Sequence, residues 1–352
     1  MARQWKAAVV GTGVVGGWHV GMIPKIPNYS LVALCDTKPD NARASVEKNK
    51  VSEVPIYEDL SEMLRKEEID VVHVCTPSGA HHDPAVTCME AGKHVICEKP
   101  MEIQLDRIDN MGAVSKRTGS RLAGIFQNRW ADANRAIKAA AEEGRFGKFS
   151  WAGCFTPWYR PDKYYEDGGW RGTWKLDGGG AIMNQSVHAI DLLQWIVGPV
   201  KSVSAYASSR IHPKIEVEDT ASAAVQFENG AFGTIMGSTA MFPGMPARIE
   251  VGGENGTAVS ENGLKVFKFR EERPSDAETQ QRLAQGRTKA AGGAGSADIG
   301  LDLHARNIMH ILGAWEEGRD AETCAAEARK AVAIILALYE SARNGGTAVA
   351  VK

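Results

Sequence analysis

The sequence lacks any apolar run of membrane length. Its longest, AVAIILALY at 331–339, is far short of the roughly 20 residues a spanning helix needs. Its six cysteines (Cys35, Cys75, Cys88, Cys97, Cys154 and Cys324) include no CxxC pair and no zinc-finger spacing, which excludes a CxxC redox centre and a cysteine-built zinc module. Three close apolar runs, LVALC, VVHVC and HVIC, so small buried thiols in a reducing cytoplasm are expected. Neither charge dominates: 41 Lys and Arg face 43 Asp and Glu, for a net charge of −2. No basic surface is offered to nucleic acid or to an anionic membrane. The start, MARQWK, runs straight into a strand-like segment without the order of a secretory signal, and a cytoplasmic protein is expected. No internal repeat is found.

What remains is an ordinary globular composition, 43% hydrophobic and 24% charged over 352 residues, long enough for two domains. In the first part, short β-branched runs at 6–11, 30–36, 70–77, 94–100 and 121–127 alternate with helical patterns at 60–68, 82–92 and 108–119. This alternation predicts an α/β fold with a parallel, doubly wound sheet over 1–126. The second part, 127–352, reads as α+β. A helix near 131–143 precedes strands at 147–156, 200–209, 219–228, 230–238, 246–252 and 256–268, with helices at 181–197, 299–318 and 321–344. Asn229-Gly230 between two strand runs marks a hairpin, and a large, mostly antiparallel sheet is expected. The polar, Gly/Ala-rich stretch 271–298 reads as a mobile insertion.

VVGTGVVGGWH at 9–19 holds Gly11, Gly13 and Gly16 in GxGxxG spacing after a buried strand, with Asp36 ending the next strand. The first glycine permits a tight turn, the second a close approach by pyrophosphate, and the third close packing of helix on strand. Asp36 suits ribose hydroxyls and opposes a 2′-phosphate, which favours NAD, while Lys38 and Arg43 leave NADP open. A ligand-free glycine turn is the plainer alternative. Farther on, Glu98-Lys99-Pro100 follows a strand, placing Lys99 at the crevice mouth of such a sheet. A solvated surface lysine is the competing reading.

DGGGAIMNQSVHAIDLL at 177–193 carries Asn184, His188 and Asp191 at i, i+4 and i+7, one face of a helix. Those residues admit a metal site, a catalytic face or a core histidine with partners. The ligand set is weak for a metal, His81 and His82 diverge, and His304 and His310 lie far along the chain, so no metal is expected. FTPWYRPDKYYEDGGWRGTWKL at 155–176 mixes aromatic rings with Arg160, Lys163 and Arg171, a composition suited to sugars. About half of those rings are expected to be core or oligomer contacts. Arg160 and Lys163 leave an acidic or nucleotide-linked sugar open.

GTGVVGGWH (11–19), TPSGAHHDPAVTCMEAGKHVICEKP (76–100), WR (170–171) and GGGAIMNQSVHAID (178–191) occur in an order that resembles the glucose–fructose oxidoreductase/inositol dehydrogenase (Gfo/Idh/MocA) family. The resemblance implies an NAD(H)-dependent dehydrogenase acting on a secondary hydroxyl of a sugar, cyclitol or sugar derivative. It assigns Lys99 to the reacting oxygen and His188 as general base. Expected cofactor contacts are Gly11, Gly13, Val14, Val15, Gly16, Asp36, Thr76, Pro77, His81, Glu98, Lys99 and Gln127. Expected substrate contacts are Arg129, Tyr159, Trp170, Arg171, Asn184 and His188. Many members of the family carry aspartate where this chain has Asn184, so a carboxylate relay through residue 184 is in question, and Asp191 is a weaker substitute. Two other classes stay open, a redox-neutral, NAD-dependent glycoside-cleaving enzyme and a non-catalytic NAD-sensing protein. By resemblance, a homodimer or homotetramer is expected, assembled through the antiparallel sheet.

Overall fold

The computed structural model describes residues 3–166, 169–285 and 301–352. In chain order the elements begin with β1 (Trp5–Val10), α1 (Val14–Met22), β2 (Tyr29–Cys35), α2 (Pro39–Asn49), β3 (Ile56–Tyr57) and α3 (Leu60–Lys66). Next come β4 (Val71–Val74), α4 (His82–Glu90), β5 (His94–Cys97), α5 (Leu105–Thr118), β6 (Leu122–Gly124) and α6 (Asp132–Glu142). Then follow β7 (Phe149–Pro157), α7 (Asp162–Glu166), α8 (Val187–Val197), β8 (Val200–Ser208), β9 (Thr220–Phe227) and β10 (Phe232–Ser238). The chain ends with β11 (Arg248–Gly253), β12 (Gly256–Glu261), β13 (Leu264–Phe269), α9 (Pro274–Leu283), α10 (Leu301–Glu316), α11 (Ala325–Arg343) and β14 (Val349–Ala350). They form two compact units, Met1–Phe126 with Leu301–Arg329, and Gln127–Gly300 with Lys330–Lys352.

In the first unit the sheet order is β3-β2-β1-β4-β5-β6, with parallel pairing throughout. All four residues of β4 and five of the six in β1 are buried, as strands covered on both faces must be. The order reverses beside β1, so the loops after β1 and β4 open at the point where doubly wound sheets receive ligands. Local signals set the helix ends. Asp59 caps α3 by accepting from Glu62 N at 2.6 Å, and α5 stops at Gly119 with φ 73°.

A simple break at residue 126 is corrected by α10. Its Ile308, Ile311, Leu312 and Trp315 join the core of Val9, Val20, Leu34, Val71 and Ile96, so residues 301–329 group with the first unit. Burial of that apolar stripe outweighs distance along the chain.

The second unit is built on an eight-stranded sheet ordered β13-β12-β11-β7-β10-β9-β8-β14. Only the central β7–β10 pair is parallel; the other pairings are antiparallel. The Asn-Gly hairpin joins β9 to β10, with Gly230 at φ 88° and Asn229 Oδ1 accepting from Ala231 N at 3.0 Å. Strand residues alternate between buried and exposed, the pattern of a sheet covered on one face.

Three expectations change here. The strand at 256–268 is two strands, divided at Asn262 and Gly263, both at positive φ. The helix at 181–197 starts as a π-helical turn over Ala181–Ser186. The expected insertion at 271–298 contains a helix, α9, held where Asp276 accepts from Arg145 at 2.7 Å and from Arg273 N at 2.8 Å; its remainder, 286–298, lies outside the described residues. Of the thiols expected to be buried, Cys35 and Cys97 are, whereas Cys75 is half-buried.

Candidate active site

Each glycine of the first loop has a separate physical reason. Gly11 has φ +80°, and a Cβ there would sit 2.9 Å from the Cys75 carbonyl carbon. A Cβ on Gly16 would sit 1.9 Å from the Gly11 oxygen, whereas one on Gly13 meets nothing within 4 Å. The space at Gly13 opens onto the N-terminus of α1, which has no side-chain cap. Backbone amides facing open space at a helix N-terminus suit a diphosphate, and Val14, 55% exposed, stands in that first turn.

Asp36 ends β2 and braces this loop. Its Oδ2 accepts from Thr12 N at 2.7 Å and Thr12 Oγ1 at 2.8 Å, and its Oδ1 from Lys38 N at 2.8 Å. The carboxylate is thus fixed at the end of β2. Thr76 and Pro77 follow β4, and Thr76 Oγ1 donates to Ala80 O at 2.8 Å. The structure revises His81 from a cofactor contact to an internal tie. It is 1% exposed, and its ring nitrogens face Pro100 O at 2.9 Å and Thr76 O at 2.8 Å. Burial lowers its pKa despite those carbonyls.

Glu98 likewise turns inward. One oxygen meets His19 Nε2 at 2.9 Å and the other accepts from Lys99 N at 3.1 Å. Burial alone would raise its pKa, but the hydrogen bond from His19 and the charge of nearby Lys99 hold it below the usual carboxylate range. Lys99, by contrast, is only half-buried.

In the second unit, Asp177 and the following glycines lead into the π-turn. Gly179 has φ +152°, and a Cβ there would lie 1.9 Å from the Tyr339 hydroxyl. The Glu218 carboxylate accepts from Gly180 N at 3.1 Å, Ile182 N at 2.8 Å and Tyr339 Oη at 2.8 Å. Burial raises the Glu218 pKa to about 7 against these hydrogen bonds. The glycines therefore admit Tyr339 and Glu218, a pairing that residue spacing gave no means of finding.

The π-turn breaks the even helical spacing assumed for the polar stripe, and its three residues have separate partners. Asn184 Nδ2 donates to Asp177 Oδ1 and its Oδ1 accepts from Gln185 Nε2 at 3.1 Å. Asp191 accepts from Arg129 Nε at 2.8 Å and Nη2 at 2.6 Å. With both partners 1% exposed, Arg129 is revised from a substrate ligand to a buried brace of α8, its guanidinium 5.4 Å from the Trp195 ring centroid. His188 differs from its neighbours: among Ala181–Gln194 it is the residue that is not buried. Its Nε2 lies 3.4 Å from Gln127 Nε2.

The aromatic segment also sorts into roles. Arg160 is buried, donating to Gln185 Oε1 at 3.0 Å and lying 4.9 Å from the Trp158 ring centroid. Arg171 is half-buried, 4.7 Å from the Tyr164 centroid and 5.0 Å from that of Trp170. Tyr159 packs edge-on against the exposed Phe242. Gln185, which donates to Tyr164 Oη at 2.7 Å, was not singled out in the sequence. Adjacency to Asn184 was its only signal.

A parallel sheet with this glycine loop, together with a sheet-and-helix unit presenting His188, defines the class of NAD-dependent oxidoreductases built from a Rossmann domain and a C-terminal α+β domain. The chain belongs to the Gfo/Idh/MocA family. Residues 5–126 match its oxidoreductase-family, NAD-binding Rossmann fold, and residues 134–259 match a GFO/IDH/MocA C-terminal domain. The chain is similar to the WlbA dehydrogenase from Bordetella pertussis, solved with NADH and UDP-GlcNAcA. The two share 31% identity over 99% of both chains, with a TM-score of 0.86. Myo-inositol 2-dehydrogenase of Thermotoga maritima is 28% identical over 263 residues, 73% of this chain and 75% of that relative. D-glucoside 3-dehydrogenase of Escherichia coli is 27% identical over 244 residues, 64% and 67% of the two chains. No helix among the described residues is long and apolar enough to cross a membrane.

Proposed function

We propose that this protein is an NAD(H)-dependent dehydrogenase that oxidises a secondary hydroxyl of a sugar derivative. Lys99 donates a hydrogen bond to the reacting oxygen and stabilises negative charge developing there. His188 takes the hydroxyl proton, which a neutral imidazole can do near pH 7. Gly11, Gly13, Val14, Val15 and Gly16 hold the diphosphate of NAD, and Asp36 its ribose. Bound NAD supplies hydride acceptance. The observation that carries this reading is the lone accessibility of His188 in an otherwise buried run from Ala181 to Gln194, since burial there leaves a single side chain to meet a ligand.

Arg171, stacked beside Tyr164 and Trp170, favours a sugar with an acidic or nucleotide-linked substituent, the kind of ligand named with the Bordetella relative. Myo-inositol and a simple glucoside are the comparison substrates.

The test mixes purified protein with NAD and each of UDP-N-acetylglucosaminuronate, myo-inositol and a methyl glucoside, following NADH absorbance. Net NADH formation that falls about 100-fold or more in Lys99→Ala and His188→Asn, with NADH binding retained, supports the reading. Glycoside cleavage without net NADH assigns a redox-neutral enzyme instead. Saturable sugar binding with no turnover assigns an NAD-sensing protein.

We also propose a homo-oligomer assembled through the uncovered sheet face. Strand register places Tyr206, Phe232, Trp151 and Phe155 on one face, and Tyr206 and Phe232 are 71% and 61% exposed. Large exposed aromatic side chains grouped on one face mark an association surface.

A further inference from the structure

Behind Lys99, within the Rossmann unit, runs a buried file of hydrogen bonds. The Tyr29 hydroxyl on β2 meets His73 Nε2 on β4. His73 Nδ1 faces His19 Nδ1 on α1 at 2.7 Å, and His19 Nε2 reaches Glu98 Oε1 at 2.9 Å. Both rings are 0% exposed, Tyr29 is 4% and Glu98 5%. Two imidazole nitrogens at that separation share one proton. Among the described residues, no three His, Cys, Asp or Glu side chains are grouped as metal ligands.

The order of protons follows from counting donors. Burial pushes the Tyr29 hydroxyl well above its usual pKa, with Asp70 and Cys75 adding to the effect, so Tyr29 donates to His73. His73 then carries its proton on Nδ1 and donates to His19 Nδ1. His19 carries its own on Nε2 and donates to the Glu98 carboxylate. Every bond is satisfied with both rings neutral. The reverse order, with imidazolium at His19, strands the buried Tyr29 proton without an acceptor among the described residues, which costs the desolvation of that hydroxyl.

The neighbouring groups fit this arrangement. Burial pushes the His73 pKa well below its usual value. His304, on α10 with Nε2 3.9 Å from Glu98 Oε1, is pushed down to about 4 by burial. Burial also raises the Cys75 and Cys97 thiols well above their usual range. Lys99 is thus the cation left to balance Glu98.

We propose that the Tyr29–His73–His19 file orders its protons toward Glu98 and keeps that side chain a carboxylate beside Lys99, making His73 and His19 positioning residues for the lysine. The inference rests on the role assigned to Lys99 in the proposed function.

Nitrogen-15 imidazole NMR of the intact protein tests the file without any substrate. Near pH 7 the expected spectrum shows His19 as the neutral Nε2–H tautomer and His73 as the neutral Nδ1–H tautomer. An imidazolium at either ring, or the opposite tautomers, overturns the proposal. His73→Leu removes the donor to His19, whereas His73→Asn retains an amide donor. The leucine variant is expected to lose the His19 tautomer and about tenfold or more in kcat, with KM for NAD little changed and the acid limb of the kcat profile moved. The asparagine variant restores most of each. Should His73→Leu fail to bind NADH, the wild-type tautomers and the His73→Asn profile decide. Full turnover by Lys99→Met would overturn the catalytic reading, and with it the purpose of the file. Wrong tautomers would overturn the file alone.

Discussion

Gly180 meets Glu218 twice: its amide donates to the carboxylate at 3.1 Å, and a Cβ on it would sit 2.0 Å from the Glu218 carbonyl oxygen. Backbone and side chain of one buried acid therefore seat the π-turn that carries Asn184 and leads into α8, on which His188 stands. This packing contact fixes the start of the segment that leads to His188.

Glu218 makes that seat sensitive to pH. Its folded pKa, about 7, lies above the 4.5 of an unperturbed glutamate. Its contribution to stability is therefore full below pH 4.5 and is lost as pH rises through 7, to the extent of roughly 3 kcal/mol. His304 acts oppositely, because a pKa pushed down to about 4 removes stability as pH falls from 6.5. The pH dependence of wild type alone therefore mixes the two, and the useful quantity is a difference. Urea denaturation of wild type and Glu218→Gln should show the glutamine variant gaining on wild type by roughly 3 kcal/mol between pH 4.5 and pH 8. A difference that stays constant with pH would show that Glu218 does not titrate in this range.

The loop glycines should separate into binding and stability roles. Gly16→Ala forces a Cβ to within 1.9 Å of the Gly11 oxygen and should destabilise the protein by about 3 kcal/mol. Gly13→Ala meets no neighbour within 4 Å and has an ordinary φ of −60°, so its thermal midpoint should barely move. It should still weaken NADH binding, because the methyl group occupies the space beside the α1 amides. Calorimetry and NADH fluorescence titration read the two effects separately. A Gly13→Ala protein that binds NADH as tightly as wild type would place the diphosphate elsewhere.

The uncovered sheet face gives a prediction about assembly. Phe232 is 61% exposed and pairs with Trp151 of β7 and Gln226 of β9. A lysine there would bring charge into an interface built on that face, whereas on a free surface it would cost within about 0.5 kcal/mol. Light scattering should report a multiple of the 38.0 kDa chain mass for wild type and a lower mass for Phe232→Lys. Monomeric wild type at micromolar concentration would remove the sheet face as the interface.

Much of this was legible beforehand because the signals are local. The strand β1, the glycine loop and Asp36 follow one another within a short stretch, and each part has its own steric or electrostatic reason. The Asn229-Gly230 hairpin could likewise be read from two residues. What stayed hidden depends on partners distant in sequence. Nothing near Arg129 announces Asp191, and nothing near Gly179 announces Tyr339. Nor does VVHV reveal that its histidine will face another histidine from α1 in the core. The π-turn was hidden for a different reason: apolar spacing over 181–197 reads as one helix, and the shift in register comes from the Glu218 and Tyr339 contacts.

Asn184 provides the sharpest test of what an amide at this position does. Its amide donates to Asp177, which is 1% exposed while Asn184 is 9% exposed, and the other Asp177 oxygen accepts from Gly172 N at 2.8 Å. The carboxylate absent at position 184 is thus present one contact away. Asn184→Asp would set two buried carboxyl groups at hydrogen-bond distance, where one must hold a proton and its pKa rises. A raised carboxyl pKa leaves stability intact at low pH and removes it as pH rises, so the variant should lose about 2–4 kcal/mol at pH 8 and recover near pH 4. The exchanged pair, Asp177→Asn with Asn184→Asp, restores one amide and one carboxylate. The amide then at position 177 donates to the carboxylate at position 184, and its carbonyl oxygen still accepts from Gly172 N. Stability of the double variant at pH 8 should return to within about 1 kcal/mol of wild type, a coupling that a double-mutant cycle measures directly. Additive losses in that cycle would show that the two side chains do not share a proton. If stability returns and turnover does not, which of the two positions carries the carboxylate matters to the reaction.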